Sequence, residues 1–181
     1  MKNYISVYEN VLEEDFCKHL IDKFERHKTA WIHRDSEYKC FNEVNFGAVP
    51  MFAEDQNKIF NNVQPFITRY VNDWDIKFFP QQMGFEQVRM KKYEVGGKQE
   101  FREHVDVGDY PSARRFLVMF FYLNNVAEGG ETAFIGINND IRVQPKVGSL
   151  LVFPPMWTHP HAGLAPITCP KYIAGTYLHY T

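Results

Sequence analysis

The sequence predicts a mainly β (α+β) fold, in which N-terminal helices pack outside an antiparallel sandwich or jelly roll. Short apolar runs separated by turn residues follow one another from Phe85 onward, and two stretches of helical periodicity precede them. The aromatic fraction of 16% also suits pleated faces. With 181 residues the chain has the length of one domain. We therefore expect a single domain, with helical support over residues 10–80 and a β core over residues 85–180.

The helical support is expected to contain two helices, after a short alternating segment at residues 4–8. The acidic turn at residues 13–15 precedes Phe16, Leu20 and Phe24, which lie on one helical face. A second helix is expected where apolar residues again keep helical spacing, with Pro65 marking a kink or a new start. Its apolar series is Phe60, Val63, Ile67, Tyr70 and Trp74. Residues 34–50 form either a lid or an irregular segment that packs its rings into the core, and we favour the irregular segment.

The β core is expected to consist of many short strands, which favours a sandwich or jelly roll over βαβ units. The expected strands are Phe85–Tyr93, Val105–Val107, Arg115–Leu123, Thr132–Phe134, Ile141–Val143, Ser149–Phe153, Thr158–Ala162 and Tyr172–Tyr180. Turn residues separate them at Gly96-Gly97, Gly129-Gly130, Asn138-Asn139-Asp140 and Pro154-Pro155.

Charge and composition limit the classes of binding partner and the cellular compartment that we expect. A net charge of −2 and a pI near 6.4 argue against nucleic acid as a partner. No signal-peptide pattern opens the sequence and no apolar run is long enough to span a bilayer, so we expect a soluble, cytoplasmic protein without membrane contact. Cys17, Cys40 and Cys169 are odd in number and widely spaced, which predicts buried free thiols. The oligomeric state is left open.

The tripeptide His104-Val105-Asp106 is a candidate for metal chemistry. Residues two apart on a strand point to the same face, and a third histidine would complete the two-histidine, one-carboxylate facial triad. The same pattern also occurs at His33-Arg34-Asp35, which we interpret as a surface or capping pair. His159 and His161 both qualify as the third ligand, and their spacing to His104 does not separate them.

The context of the second tripeptide resembles the 2-oxoglutarate/Fe(II)-dependent oxygenases, in particular small prolyl 4-hydroxylases of viral and bacterial type. The matching segments are Tyr93–Gly97, His104–Asp106, Arg115–Asn124, Glu128–Thr132, Pro145–Ser149, Phe153–Pro155, His161–Gly163 and Lys171–Tyr172. The resemblance covers residues 85–180 and implies a double-stranded β-helix of the cupin type. The chain departs from the family in a longer link between Tyr93 and His104, a short loop at residues 107–112, and Ala165-Pro166. These differences concern substrate choice.

The resemblance implies that His104, Asp106 and His161 bind iron(II). His161 is preferred because it precedes a small residue and a glycine and lies ten positions before Lys171. His159 then becomes a rim or supporting histidine.

The resemblance also implies further roles. Lys171 is expected to bind the C5 carboxylate of the cosubstrate 2-oxoglutarate, helped by the hydroxyls of Thr132 and Tyr93. Arg115 aligns with an arginine near the substrate groove, and Tyr177 with an aromatic residue beside the metal. Iron(II), 2-oxoglutarate and O₂ are the implied cofactors and cosubstrates, with ascorbate as a candidate reductant.

The implied activity is hydroxylation of a prolyl residue in a peptide or protein. Aromatic side chains would suit an extended ligand if they line an open groove; they are Tyr38, Phe41, Phe46, Tyr110 and Tyr177. A hydroxylase of a free amino acid or another small molecule is the main alternative, with Arg114 or Arg115 binding a carboxylate. A nucleobase-modifying oxygenase is disfavoured by the charge. A catalytically silent, metal- or ligand-binding jelly roll is the alternative of another class, and Lys171 argues against it.

Overall fold

A computed structural model describes residues 2–136 and 140–181. This part of the chain contains two α-helices, α1 (Glu14–Arg26) and α2 (Ala53–Asp73), and twelve β-strands. The strands are β1 (Ser6–Tyr8), β2 (Ile32–Asp35), β3 (Cys40–Asn45), β4 (Met83–Phe85), β5 (Arg89–Tyr93), β6 (Phe101–His104), β7 (Arg115–Tyr122), β8 (Thr132–Phe134), β9 (Ile141–Val143), β10 (Leu150–Phe153), β11 (His161–Gly163) and β12 (Lys171–Tyr180). In the expected turn at residues 138–140, Asn138 and Asn139 lie outside the described residues.

The strands form two antiparallel sheets. The larger sheet has the order β1-β10-β7-β12-β5-β3-β2, with β4 added beside β12, and the smaller sheet has the order β6-β11-β8-β9. Most neighbours in the two sheets are far apart in sequence, as in a jelly roll, while β2–β3 and β8–β9 are consecutive. The predicted mainly β architecture with helices outside is therefore confirmed.

Strand β7 shows how alternation along a strand divides the core into two layers. Leu117, Met119 and Phe121 point to the face of the large sheet that the helices cover. Val118 and Tyr122 point the other way, into the apolar layer shared with the small sheet. Burial of each apolar side chain of this size stabilises the folded state by roughly 1.5–3 kcal/mol.

Charged residues near the helix ends and a buried apolar face stabilise the two helices. Helix α1 has Glu14 and Asp15 in its first turn and Lys23 and Arg26 in its last, which complements the helix dipole. Helix α2 begins before the predicted apolar series and continues through Pro65. The expected new start at Pro65 is therefore wrong, because packing of the apolar face outweighs the loss of one backbone hydrogen bond.

The segment between the helices is more regular than expected. Instead of an irregular region at residues 34–50, β2 and β3 form a hairpin that extends the large sheet beside β5. Its inward face carries Arg34 and Glu43 as well as Phe41, so no apolar alternation marks the strands. The predicted helical support thus includes part of the β core.

Three predicted strands differ from the structure by more than one residue at an end. The strand expected at 105–107 is wrong, since β6 ends at His104 and the Asp106 amide donates to the carbonyl of Pro155. The strand expected at 158–162 begins only at His161, because a turn ends at His159 and Pro160 cannot donate a hydrogen bond. The strand expected at 85–93 is divided into β4 and β5.

The cysteines follow the prediction in part. All three are free thiols, but only Cys17 is buried, while Cys40 and Cys169 are partly exposed.

In the described part of the chain, neither helix is both long and apolar enough to cross a membrane.

Candidate metal centre and cosubstrate pocket

Three metal-binding side chains converge at one end of the cavity between the sheets. His161 on β11 lies directly opposite His104 on β6 in the antiparallel pair. Asp106 follows two residues after His104, with its carboxylate 3.6 Å from His104 Nε2 and 3.5 Å from His161 Nε2. All three candidate ligand atoms lie within 4.8 Å of one another. A two-histidine, one-carboxylate set of this kind leaves coordination positions open on one side of a metal.

Both imidazoles are hydrogen-bonded through Nδ1, which gives the tautomer that a metal ligand needs at Nε2. His104 Nδ1 lies 2.7 Å from the Arg102 carbonyl, and His161 Nδ1 lies 3.0 Å from the His159 carbonyl. A carbonyl only accepts, so each Nδ1 carries the proton and each Nε2 offers its lone pair to the shared point. Burial lowers the pKa of His161 from 6.5 to about 4, which keeps this ring neutral at pH 7.

The Asp106 carboxylate is fixed although it lies beyond the end of a strand. Its backbone amide donates to Pro155, and the Tyr177 hydroxyl donates to Oδ1 at 2.8 Å. Burial alone would raise the pKa of this carboxyl, but His104 and His161 hold it well below its usual range. Asp106 is therefore an anion, as a metal ligand must be.

Aromatic rings hold the imidazoles in place. The Phe101 ring stacks on His104 with centroids 3.4 Å apart, and the Phe153 ring meets His161 edge-on at 4.7 Å. Because these contacts and the Nδ1 hydrogen bonds fix both rings, little reorganisation is needed to bind a metal.

A buried lysine lies at the other end of the same cavity, which occupies about 660 Å³ including its open mouth. Lys171 Nζ donates to the carbonyls of Gly130 at 3.0 Å and Leu164 at 3.2 Å. An ammonium has three protons, so one donor is left for a ligand. Burial lowers the pKa of Lys171 from 10.5 to about 7, because this cation has no carboxylate in ion-pair contact within the described residues.

The surroundings of Lys171 suit a carboxylate such as the distal one of 2-oxoglutarate. Tyr93 and Thr132 line the same cavity, and Thr132 accepts a hydrogen bond from Tyr122, which leaves its own hydroxyl proton available. Gly163 forms part of the wall: a Cβ there would lie 3.5 Å from Lys171 Nζ and reduce the space for a carboxylate. The residues present thus fit the cosubstrate as well as the metal.

Arg115 and His159 both make hydrogen bonds that place them beside the candidate ligands rather than among them. Arg115 makes two hydrogen bonds to Glu86, at 2.8 and 2.9 Å, and one to the Asp106 carbonyl at 3.1 Å. Arg115 therefore helps to fix the backbone at Asp106. The His159 ring lies between Thr158 and the Asn3 carbonyl, so both of its nitrogens have partners outside the candidate metal centre. Only its backbone carbonyl supports the site.

The other histidine-aspartate tripeptide lies elsewhere. His33 and Asp35 are exposed on β2, where they cluster with Cys40, and His33 Nδ1 lies 2.9 Å from Asn42. The prediction of a surface pair is confirmed, but the pair belongs to a strand and caps no helix.

The aromatic residues expected to line an open groove differ in their exposure. Phe41 and Phe46 are buried, at 2% and 1% exposure, so they cannot line an open groove. Tyr38 and Tyr110 are exposed, at 64% and 93%. Sequence reasoning missed Trp157, which is 76% exposed and lies two residues after Pro155, the acceptor for the Asp106 amide.

Two basic residues of the cavity wall were also missed. Arg89 and Lys91 line the cavity together with Tyr93. The sequence could have indicated them, because residues at i, i+2 and i+4 of one strand share a face. Arg89 and Lys91 stand in this relation to Tyr93, which the sequence analysis places in the site.

The fold and the donor set are those of a jelly-roll metalloprotein with a two-histidine, one-carboxylate centre. The chain belongs to the 2OG-Fe(II) oxygenase superfamily, whose model matches residues 88–179. This family implies iron(II), 2-oxoglutarate and O₂.

The chain is similar to a curated plant protein in sequence and to two solved structures in fold. Probable prolyl 4-hydroxylase 10 of Arabidopsis thaliana is 26% identical over 170 residues, covering 82% of this chain and 56% of the relative, so the chain spans little more than half of that protein. The viral collagen prolyl hydroxylase vCPH of Paramecium Bursaria Chlorella virus-1, solved with 2OG, superimposes with a TM-score of 0.74 at 21% identity, over 98% of this chain and 97% of the other. A Trichoplax adhaerens prolyl hydroxylase, solved with a hypoxia inducible factor peptide fragment, gives a TM-score of 0.79 at 14% identity, over 99% and 84%.

Proposed function

We propose that this chain is an Fe(II)- and 2-oxoglutarate-dependent dioxygenase that hydroxylates a prolyl residue in a peptide or protein. The observation that carries the proposal is the placement of the His104, Asp106 and His161 ligand atoms and the Lys171 ammonium in one cavity. When bound, iron(II) and 2-oxoglutarate supply the oxidation: O₂ gives one oxygen atom to succinate and one to the substrate C–H bond, with release of CO₂.

The residues of the chain have separate tasks in this reaction. His104 and His161 offer neutral nitrogens and Asp106 offers the anionic oxygen, which Tyr177 orients. Lys171 neutralises the distal carboxylate of 2-oxoglutarate and thereby sets the direction in which the cosubstrate lies. A metal held by these three side chains would keep further coordination positions for the cosubstrate and O₂.

The prolyl substrate is supported by the relatives and structural neighbours, which are named prolyl hydroxylases, and by three exposed aromatic rings. Tyr38, Tyr110 and Trp157 are suitable surfaces for an extended, proline-containing segment. The small-molecule alternative has its own support, since Arg89 and Lys91 line the cavity and could hold an amino acid carboxylate. The three free thiols are compatible with action in a reducing, cytoplasmic compartment, and ascorbate remains a proposed reductant.

The test is hydroxylation by the purified protein with Fe(II), 2-oxoglutarate and O₂. Proline-rich peptides are expected to gain about 16 Da, one oxygen atom, while the same peptides with alanine for proline gain nothing. His104→Ala should abolish the gain, and His33→Ala, in the exposed tripeptide, is the matched control that should retain it. Gain on free amino acids alone would favour the small-molecule alternative. Neither mass gain nor 2-oxoglutarate consumption with any substrate would contradict the proposal.

A further inference from the structure

The inward face of β5 carries a second basic site, separate from Lys171. Strand pairing with β12 places Tyr93 opposite Lys171, Lys91 opposite Ile173, and Arg89 opposite Gly175. Arg89 is four residues from Tyr93, about 13 Å along the strand at ~3.3 Å per residue. The cavity therefore has Lys171 at its cosubstrate end and two further cations along the wall that leads away from it.

The Lys91 ammonium has no hydrogen-bond or ion-pair partner among residues 2–136 and 140–181. It lies over the rings of Phe41, at 4.9 Å, and Phe101, at 5.4 Å. Phe101 also stacks on His104, so this ammonium is next to the candidate metal centre. Burial lowers the pKa of Lys91, because the attraction of Glu43 and Asp106 compensates only part of the hydration that the ammonium loses.

The acidic groups nearby do not balance these cations. Glu43, opposite Lys91 on β3, is buried, and its Oε1 accepts from both Arg34 and Arg89 at 3.1 Å. The Asp106 charge is committed to the metal. Glu43 thus faces three cations, Arg34, Arg89 and Lys91, so this part of the wall carries more positive than negative charge.

We propose that the substrate carries a carboxylate and that Lys91 binds it, with Arg89 beside it, close to the carbon that is hydroxylated. This inference rests on the proposed function and narrows its substrate class. The carboxylate has two sources: an Asp or Glu side chain beside the prolyl residue, or the α-carboxylate of a free amino acid. In both cases a partly desolvated ammonium would recover a charge-assisted hydrogen bond on binding.

Binding measured by calorimetry without O₂ tests the inference independently of turnover. Two probe pairs are compared on the protein with Fe(II) and 2-oxoglutarate: a blocked peptide with Asp beside proline against its Asn analogue, and L-proline against L-prolinamide. In at least one pair the carboxylate probe should bind about tenfold or more tightly, as expected for one charge-assisted hydrogen bond. The pair that shows the preference identifies the source of the carboxylate.

Lys91→Met keeps the apolar stem over the two rings and removes the charge. In this variant the preference should fall to within about threefold, whereas exposed Lys98→Met, as control, should retain it. Since the preference is a ratio within one variant, a general loss of affinity cancels. Arg89→Gln, which should also reduce the ratio, gives a second reading if Lys91→Met does not fold. Equal binding within both pairs by the parent protein would overturn the inference, while prolyl hydroxylation by that same protein would leave the proposed function intact.

Discussion

Replacement of Lys171 by methionine is expected to abolish tight binding of 2-oxoglutarate. The side chain is 2% exposed, and its ammonium already donates to the carbonyls of Gly130 and Leu164. Methionine keeps most of the apolar stem but offers no donor to the distal carboxylate. That carboxylate would then lie buried without a cation.

The magnitude follows from the cost of an unpaired buried charge, about 3–5 kcal/mol, or roughly two to more than three decades in Kd. At pH 7 about half of the parent molecules carry a neutral Lys171 amine, because its pKa is about 7. This reduces the parent affinity only about twofold. The expected loss at pH 7 is therefore still about 100-fold or more.

Titration calorimetry with Mn(II) in place of Fe(II) measures the affinity without turnover. Lys18→Ala, at an exposed position of α1, is the control and should bind 2-oxoglutarate as the parent does. If Lys171→Met bound the cosubstrate with parental affinity, the assignment of Lys171 would be refuted.

The pH dependence of the same titration is a second test of whether the Lys171 ammonium binds 2-oxoglutarate. A bound carboxylate raises the pKa of the ammonium, so binding above pH 7 requires uptake of a proton. The Lys171 contribution is fully present below about pH 7. Above it, Kd should rise about tenfold per pH unit until the raised pKa of the complex is reached. Lys171→Met should lack this slope.

The remaining predictions concern the metal. His161→Ala should lose bound iron, measured by elemental analysis, whereas His159→Ala should keep most of it, since only the His159 carbonyl supports the site; the reverse order would show that the ligand was wrongly chosen. Tyr177→Phe removes the donor to the Asp106 carboxylate and should weaken metal binding about 10- to 100-fold, as outer-sphere changes do, with unfolding temperature as the control for a purely structural effect. An unchanged metal Kd would mean that Tyr177 does not orient the ligand.

Much of the β core could be predicted because its strands bury one or both faces. Strands β8 and β9 have the predicted bounds, and β7 and β10 differ by one residue at one end. The hairpin β2–β3 could not be predicted, since its inward face is partly charged and gives no apolar alternation.

The site was predictable where motif spacing carried the information, as for His104, Asp106 and Lys171. Its geometry was not, because Asp106 takes its place by leaving the strand and bonding to Pro155, a contact between distant segments. The place of Lys91 in the cavity wall could be predicted from the strand face that it shares with Tyr93, but its position over the Phe101 ring depends on the folded structure.

The central claim is that iron bound through Asp106 oxidises 2-oxoglutarate in this cavity. Iron-dependent formation of succinate from 2-oxoglutarate tests it most directly, in the parent, in Asp106→Ala and in Asp35→Ala, the matched aspartate of the exposed tripeptide. The parent and Asp35→Ala should form succinate even without substrate, at a slow rate, and Asp106→Ala should fall to the background measured without iron. Succinate formation by Asp106→Ala at the parental rate would contradict the account.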